Sequence, residues 1–413
     1  MSDFGSYLFL AMISLLIIVS YVFNIIAKKT NIPSVLLLMG AGLAAKEMGK
    51  YLGYNQYGMS GILEILGIVG VIMIVLEAAL DLKLSRSKIP LVFKSFIVAT
   101  VILLITSAII AFIISYFTSI DYLLATLYAI PLSVMSSAII IPSVSQLDAQ
   151  KKEFMIYEST FSDILGIIYF YLILDAIRTD NITGAALDSL ATIIITLLAG
   201  IIISYLLVFL VQKVLKSVNY FLIFAILILL YSVEKMIHLS PLITILIFGI
   251  TVNNKGIFFK GKLQGLIDNN TYGVILKNFK VFTIQSSFLV RTFFFFMFGM
   301  SISVVALGDV SLYIVLLLCL AAMYSIRLLS FVLFYKENLF PEVFLSPRGL
   351  ITILLFFSIP EELMVEHFEN DLIFMIIIST NIIMMIALMF AGKKMDDVKE
   401  LTQKTIEKPN RLL

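Results

Sequence analysis

The segment that decides the fold occupies residues 153–177 and reads EFMIYESTFSDILGIIYFYLILDAI. It is long enough to cross a lipid bilayer as a helix, which takes about 20 mostly apolar residues. Two acidic residues, Glu158 and Asp163, nevertheless lie well inside it. A charge at the centre of a membrane helix costs at least ~2.5–3.5 kcal/mol, so an acid kept there needs a partner or a function.

The rest of the chain has the same membrane character. Its 413 residues are 61% hydrophobic and 14% charged, whereas soluble domains average about 45–50% and about 25%. The apolar runs are too long for barrel strands, which leaves helices as the spanning elements. The net charge of +2 gives no reason to expect nucleic acid as a partner. With one cysteine, Cys319, no disulfide framework is expected.

Thirteen apolar segments predict an all-α polytopic membrane protein. They cover approximately residues 6–27, 33–48, 61–82, 95–117, 121–145, 153–177, 185–212, 219–236, 240–253, 281–304, 310–334, 344–360 and 370–391, with a basic inner loop over about 254–280. Most Lys and Arg residues fall on one side when the C-terminus is placed inside, so the positive-inside rule predicts an external N-terminus and a cytoplasmic C-terminus.

We expect one transmembrane domain over residues 1–391, followed by a short charged cytoplasmic tail over residues 392–413. Within the domain, two repeats cover about 6–177 and 219–391, and the helix 185–212 links them. If the repeats are inverted, their fifth and twelfth spans correspond to each other.

Those two spans carry helix-breaking residues near mid-depth. Residues 131–142 read PLSVMSSAIIIP, and residues 346–350 read SPRGL. Proline removes a backbone donor, and small polar residues offer substitute hydrogen bonds. Transporters built from inverted repeats place broken helices at matching positions, with the substrate site where their ends meet. The sequence therefore predicts two crossing broken helices, although two ordinary proline kinks would give the same pattern.

Among the acids within the spans, Asp163 is the best candidate for an ion ligand. Asp163 and Ser159 are four residues apart, so they share one helix face and offer hard oxygen ligands that suit Na⁺ or K⁺. Such an aspartate holds either a proton or a cation, and that competition is sufficient for exchange; the alternative is a structural hydrogen bond between helices. Glu158 points about 140° away, so we expect it to pair with a buried arginine. Asp175 and Glu234 lie near span ends, where we expect solvation.

Several motifs resemble one family. Residues 158–163 (ESTFSD) resemble the Glu-Ser-x-x-Asn-Asp signature of bacterial sodium/proton antiporters of the cation:proton antiporter superfamily. Residues 347–350 (PRGL) resemble its Pro-Arg-Gly-Leu/Ala motif on the second broken helix. Further similar segments are 33–42 (PSVLLLMGAG), 76–82 (LEAALDL) and 295–300 (FFMFGM), which look like parts of its second, third and tenth helices.

The resemblance implies a thirteen-helix homodimer in a bacterial-type inner membrane, with a dimerisation domain and a core domain that moves like an elevator. It also implies roles for single residues. Asp163 and Ser159 are then ion ligands, Glu77 is an acid close to the site, Glu158 pairs with Arg327, and Arg348 braces the crossing of the broken helices. Relatives with Asn-Asp exchange ions one for one, and Ser162 is neutral like Asn, so we expect electroneutral exchange.

One motif departs from the family. Its first broken helix carries Thr-Asp-Pro, whereas the nearest run here, Ser136-Ser137-Ala138, has no acid. We expect Ser136 and Ser137 to supply hydroxyl and carbonyl oxygens, and Glu77 to restore charge. The missing acid predicts weaker affinity, a preference for a larger cation such as K⁺, or a changed substrate. Three roles stay open for Arg291: to neutralise Asp163 when no cation is bound, to pair with Glu77, or to lie nearer the inner surface.

The sequence thus predicts a secondary transporter that exchanges protons for Na⁺ or K⁺ by alternating access, with competition at Asp163. No Walker A motif is present and no cofactor is expected, so an ion gradient supplies the energy. We expect no enzyme, because no span carries a His/Asp or His/Glu cluster at catalytic spacing. Two alternatives are a symporter of the same fold, which would hold an organic anion with Arg348 or Arg291, and a transport-deficient sensor.

Overall fold

The chain folds into helices. The computed structural model describes residues 3–30, 32–51, 60–82, 84, 86–144, 147–179, 182–214, 220–237, 239, 241–259, 269–301, 310–335, 339–365 and 370–407. These ranges contain no strand, which confirms the all-α fold class. The helices are α1 (Asp3–Thr30), α2 (Ser34–Tyr51), α3 (Ser60–Asp81), α4 (Ile89–Thr118), α5 (Tyr122–Ser133), α6 (Ser137–Ser143), α7 (Ala149–Thr179), α8 (Ile182–Val214), α9 (Tyr220–Met236), α10 (Pro241–Asn253), α11 (Lys255–Phe258), α12 (Asn269–Ser301), α13 (Val310–Ser330), α14 (Leu350–Phe357) and α15 (Asn370–Glu407).

The helices have the length and composition of membrane spans. Seven spans in the described part of the chain are long and apolar enough to cross a bilayer: α1, α4, α7, α12, α13, α15 and the pair α5–α6. Shorter apolar stretches lie in α3, α8 and α10. Each of the thirteen predicted spans coincides at least in part with one or more of the fifteen helices named above. The chain is a multi-pass membrane protein, as predicted.

Two helices extend further than the hydropathy pattern indicates. α12 begins at Asn269, twelve residues before the predicted span, so the predicted loop over 254–280 is wrong in its second half. α15 continues to Glu407, through most of the predicted tail. Hydropathy marks the part of a helix that lipid surrounds, and a helix that satisfies its own backbone hydrogen bonds can continue beyond that boundary.

The helices pack in two groups. In the first, α12 packs extensively on α2 and α3, and α10 packs on α3 and α8; with α1 and α9 these helices form what we call the scaffold. In the second, α4 packs on α5, α7 and α13, and α5 contacts α14; with α6 and α15 these form what we call the core. The two groups meet mainly where α7 contacts α8 and where α3 contacts α14.

Glycines allow close approach of helices within the scaffold. Gly42 on α2 faces the backbone carbonyl of Phe296 on α12, and Gly299 on α12 faces the carbonyl of Met39 on α2. A side chain at either glycine would overlap the opposite backbone. Small residues bring membrane helices together in this way, so α2 and α12 form a close-packed pair.

Asn254 ties the end of α10 to the end of α3. Its Nδ2 donates to the carbonyl of Leu82 at 2.7 Å, and its Oδ1 accepts from the amide of Leu84 at 2.6 Å. The last carbonyls of a helix have no partner within the helix, and the Leu82 carbonyl beyond α3 accepts from Asn253 Nδ2 at 3.0 Å as well as from Asn254. The scaffold is thus held by polar contacts at its end as well as by packing.

Candidate ion-binding site

The site is built where two broken helices touch. Residues 134–136 are not helical and separate α5 from α6, with Val134 and Ser136 extended, and residues 345–349 are not helical and precede α14. The amide of Ser136 donates to the carbonyl of Pro347 at 2.9 Å, which joins the two interruptions. Gly349 lies against Ser136, and a Cβ on that glycine would be 2.7 Å from Ser136 Oγ. A larger residue at this position would therefore have to displace Ser136 and Ile139.

Asp163 lies on α7 beside this crossing and is buried. Its Oδ2 accepts a hydrogen bond from the amide of Ser137 at 3.2 Å and a short one from the hydroxyl of the same serine. Its Oδ1 is buried without a hydrogen-bond donor among the described residues. One oxygen of the carboxylate is thus held in place, and the other is left to accept a proton or to bind a cation.

Three further serines lie near Asp163 on α7 or next to Ser137, and their contacts differ. The hydroxyl of Ser136 is buried and has no hydrogen-bond partner in the described part of the chain. Ser159 is buried and donates to the carbonyl of Ile156 on its own helix at 3.1 Å, so its lone pairs stay available. The oxygen of Ser162 accepts from the amide of Met135 at 2.9 Å and fixes the first interruption to α7.

Arg291 takes one of its three predicted roles, the pairing with Glu77. Its Nη2 lies 3.5 Å from Glu77 Oε2, and its Nη1 donates to the carbonyl of Ala138 on α6 at 3.0 Å. Arg291 thereby offsets the negative charge that we expected Glu77 to add. The same guanidinium links α3 and α12 of the scaffold to α6 of the core.

A cavity of about 670 Å³ leads towards this pair. It lies between α1, α2, α6 and α12, and its walls include Glu77, Arg291, Ala138 and Ile139. Ala138 directly follows Ser137, whose hydroxyl is bonded to Asp163. A residue that lines the cavity is therefore next in sequence to the serine that holds Asp163.

The structure brings Glu158 and Arg327 together in a buried ion pair. Arg327 Nη1 donates to Glu158 Oε1 at 2.6 Å, and Nη2 donates to Oε2 at 3.0 Å. The remaining donors of Arg327 reach the carbonyl of Glu342, with Nε at 3.2 Å and Nη2 at 3.0 Å. Such a bidentate pair fixes both the distance and the relative orientation of the two side chains, so it holds α7 against α13.

Arg348 caps the end of α5 from the other broken helix. Its Nε donates to the carbonyl of Leu132 at 2.8 Å, its Nη2 to that of Ser133 at 3.2 Å, and its Nη1 to that of Ser346 at 2.7 Å. The end of a helix carries bare carbonyls and a partial negative charge, which a guanidinium satisfies. Arg348 therefore braces the crossing through backbone groups.

Sequence reasoning missed several polar residues of the core. On α15, Thr380 Oγ1 accepts from the backbone amide of Arg348 at 3.1 Å, and Asn381 Nδ2 donates to the backbone carbonyl of Arg348 at 2.9 Å. Polar residues inside a span are the available signal for such contacts.

The expectation that Glu234 is solvated is wrong, because that residue is 2% exposed, whereas Asp175 is exposed as expected. The end of an apolar segment does not reveal whether neighbouring helices cover a residue there.

The arrangement offers the hard oxygen atoms that a monovalent cation would require. Asp163 provides a single carboxylate, and serine hydroxyls around it provide neutral oxygens. Among the residues that the structure describes, no three His, Cys, Asp or Glu side chains cluster as a metal site. Divalent cations such as Ca²⁺ prefer six to eight oxygen ligands, often including several carboxylates.

Comparisons with known proteins identify the family and the fold. The family model described as "Sodium/hydrogen exchanger, transmembrane" matches residues 13–392. Two solved structures of the sodium proton antiporter MjNhaP1 from Methanocaldococcus jannaschii are similar in fold. One, at pH 8, has a TM-score of 0.63 with 19% identity over 92% of this chain and 94% of that chain. The other, from electron microscopy, has a TM-score of 0.63 with 21% identity over 97% and 98%. No curated protein sequence matches the chain. The antiporter resemblance of the sequence motifs is confirmed, and this chain belongs to the sodium/hydrogen exchanger family.

Proposed function

We propose that this protein exchanges protons for a monovalent cation, Na⁺ or K⁺, at Asp163. Membership of the sodium/hydrogen exchanger family supports the exchange reaction. The observation that carries the assignment to Asp163 is its buried Oδ1, which has no donor in the described part of the chain while Oδ2 is held by Ser137. A buried carboxylate oxygen without a hydrogen-bond donor is unfavourable in free energy unless a proton or a cation binds to it.

Competition at one carboxylate is enough to couple the two ions. Ser137 donates to Oδ2 from both its amide and its hydroxyl, which orients the carboxylate. A proton on Oδ1 neutralises the charge that would attract a cation, and a bound cation repels the proton. We propose that the oxygens of Ser136 and Ser159 complete the coordination of the cation. Each ion then leaves before the other binds.

Electroneutral exchange follows from the charges around the site. Glu158 is paired with Arg327, and Glu77 is paired with Arg291, so these acids add no net charge. The first broken helix has serines where the family has an aspartate. Asp163 is therefore the one unpaired acid that we assign to the site, and it exchanges one proton for one monovalent cation. The neutral oxygens around it favour K⁺ over the more strongly hydrated Na⁺.

The exchange requires the core and the scaffold to move relative to each other. We propose that the core moves like an elevator while the scaffold forms a homodimer. The exposed apolar residues of α1, including Leu10, Leu15 and Ile18, support a surface that faces lipid or a second copy. The cavity beside Arg291 lies on the side where we place the cytoplasm, with the C-terminus inside, the N-terminus outside and a bacterial-type inner membrane around the transporter.

Proteoliposomes with a pH-sensitive dye test the proposal. After a proton gradient is imposed, addition of Na⁺, Li⁺, K⁺ or Rb⁺ is expected to dissipate it in the parent protein and not in Asp163→Asn. Asp175→Asn is the matched control, because Asp175 lies on the same helix and is exposed. If Asp163→Asn responds to cations as well as the parent does, the assignment of the site is wrong. A membrane potential imposed with a gradient of a permeant anion, which is not a proposed substrate, should leave the rate unchanged if exchange is electroneutral.

The anion symporter has less support. It needs an arginine available for the substrate, but Arg348 is engaged by backbone carbonyls and Arg291 by Glu77 and the carbonyl of Ala138. An anion would have to displace these contacts. Uptake of labelled organic anions by the same vesicles, driven by a sodium gradient, would restore this alternative.

A further inference from the structure

A second ion pair joins α7 to the second broken helix. Lys151, in the first turn of α7, lies with its Nζ 2.5 Å from Glu342 Oε1. The side chain of Glu342 is fully buried, whereas that of Lys151 is 18% exposed. Glu342 begins the short 3₁₀ turn Glu342–Phe344, which immediately precedes the interruption at residues 345–349. The pair therefore fixes the start of the interrupted segment to α7.

The backbone of the same residue is also tied to α7. The carbonyl of Glu342 accepts two hydrogen bonds from Arg327, which is itself paired with Glu158. Lys151 and Glu158 are seven residues apart, about two helical turns, so they share one face of α7. Glu342 is thus fixed to this face at two points, directly through its side chain and through Arg327 by its carbonyl.

A short series of contacts connects Glu342 to the ion site. The segment that follows Glu342 carries Pro347, whose carbonyl accepts from the amide of Ser136. The next residue, Ser137, holds Asp163 through its amide and its hydroxyl. A shift of the segment at Glu342 relative to α7 would therefore alter the distance between Ser137 and Asp163.

We propose that Lys151 and Glu342 are a positioning pair that sets the cation affinity of Asp163 by holding the second broken helix in register with α7. This inference rests on the proposed function of Asp163. Neither residue touches the cation in our assignment. Both act through the crossing of the broken helices.

Because Glu342 is more deeply buried than Lys151, we expect removal of the charge on Lys151 to have a larger effect than removal of the charge on Glu342. If Lys151 loses its charge, the Glu342 carboxylate is left buried without the cation that compensates it, which is strongly unfavourable. If Glu342 loses its charge, Lys151 can extend its ammonium group into water. Neutralising both residues removes the buried charge altogether, which is often tolerated. We therefore expect Glu342→Gln to repair part of the damage caused by Lys151→Gln.

The experiment compares Lys151→Gln, Glu342→Gln and the double variant with the parent. The neighbouring Lys152→Gln is the matched control. Two quantities are measured: the half-saturating cation concentration for exchange in proteoliposomes, and the cation concentration that stabilises the detergent-purified protein against heat. The second reports affinity without requiring exchange. We expect Lys151→Gln to raise both by about tenfold or more, Glu342→Gln to raise them less, and the double variant to lie nearer the parent than Lys151→Gln does.

Two results would overturn the positioning role. One is a Lys151→Gln protein that melts at a lower temperature but keeps the parental cation affinity, since that is the signature of a purely structural pair. The other is a double variant in which the two effects add. A parent that binds cations without exchanging them, or an active Asp163→Asn, refutes the proposed function instead. In that case the heat-stabilisation measurements still test whether Lys151 and Glu342 set the cation affinity.

Discussion

Gly349→Ala is the most direct test of how closely the two broken helices must approach. A Cβ at this position would lie 2.7 Å from Ser136 Oγ, 2.7 Å from Ile139 Cδ1 and 3.1 Å from Ser136 Cβ. The backbone of Gly349 is extended, with φ of −166°, so its torsion alone does not demand glycine. The constraint is the space between the two interruptions.

The size of the effect follows from these distances. Non-bonded carbon atoms are normally about 3.5–4.0 Å apart. Rotation can move the hydroxyl of Ser136, but its Cβ has to retreat by roughly 0.4 Å or more. The bond from the Ser137 amide to Asp163 is already 3.2 Å long, so a comparable shift breaks it. Overpacking costs about 1–3 kcal/mol, and a hydrogen bond to a charged group is worth about 1.5–3 kcal/mol.

The assay measures the half-saturating cation concentration in proteoliposomes and the melting temperature in detergent. We expect Gly349→Ala to raise the first by about tenfold or more, since 1.4 kcal/mol is a factor of ten, and to lower the second by several degrees. Gly40→Ala is the control, because a Cβ there would meet nothing within 4 Å. If the two variants behave alike, the crossing is looser than we argue and the reasoning fails.

Three further predictions use the same two measurements. Ser137→Ala removes one of the donors to Asp163 and should raise the half-saturating cation concentration about tenfold with little change in melting temperature; an unchanged cation dependence would speak against Ser137 as an orienting residue. Arg348→Lys should abolish most exchange and lower the melting temperature, because an ammonium cannot reach three carbonyls as the guanidinium does; full activity would show that the crossing does not need this brace. Asn254→Ala should lower the melting temperature by removing the acceptor of the Leu84 amide and one of the side-chain donors to the Leu82 carbonyl, while the folded fraction keeps the parental cation dependence; altered cation dependence would contradict its assignment to the scaffold alone.

The sequence was sufficient to predict the spans and their interruptions. Lipid requires long apolar helices, so hydropathy locates them. Prolines and small polar residues indicate which two of them break. Pro347 lies in the second interruption, whereas Pro131 and Pro142 lie inside α5 and α6 on either side of the first. The limits of α12 and α15 were not predictable in the same way, because polar residues beyond the apolar part still form helix.

Contacts between distant residues were harder to predict. Motif resemblance led to Arg327 for Glu158, and the structure brings the two together. Nothing in the sequence pairs Lys151 with Glu342, since neither lies in a motif and 191 positions separate them. The choice among the roles of Arg291 likewise depended on which helix faces which, and that is a property of packing.

The continuity of α7 has a consequence for observing transport. This helix runs for 31 residues without a break, which is about 46 Å at ~1.5 Å per residue. Lys151 near its first end, Asp163 near its middle and Tyr171 towards its far end therefore belong to one rigid body. Spin labels or fluorophores at the two ends of α7 should keep a constant separation through the transport cycle, while their distances to labels on α12 alternate between two values. The displacement of a site buried in the membrane can then be measured from the aqueous phase on either side.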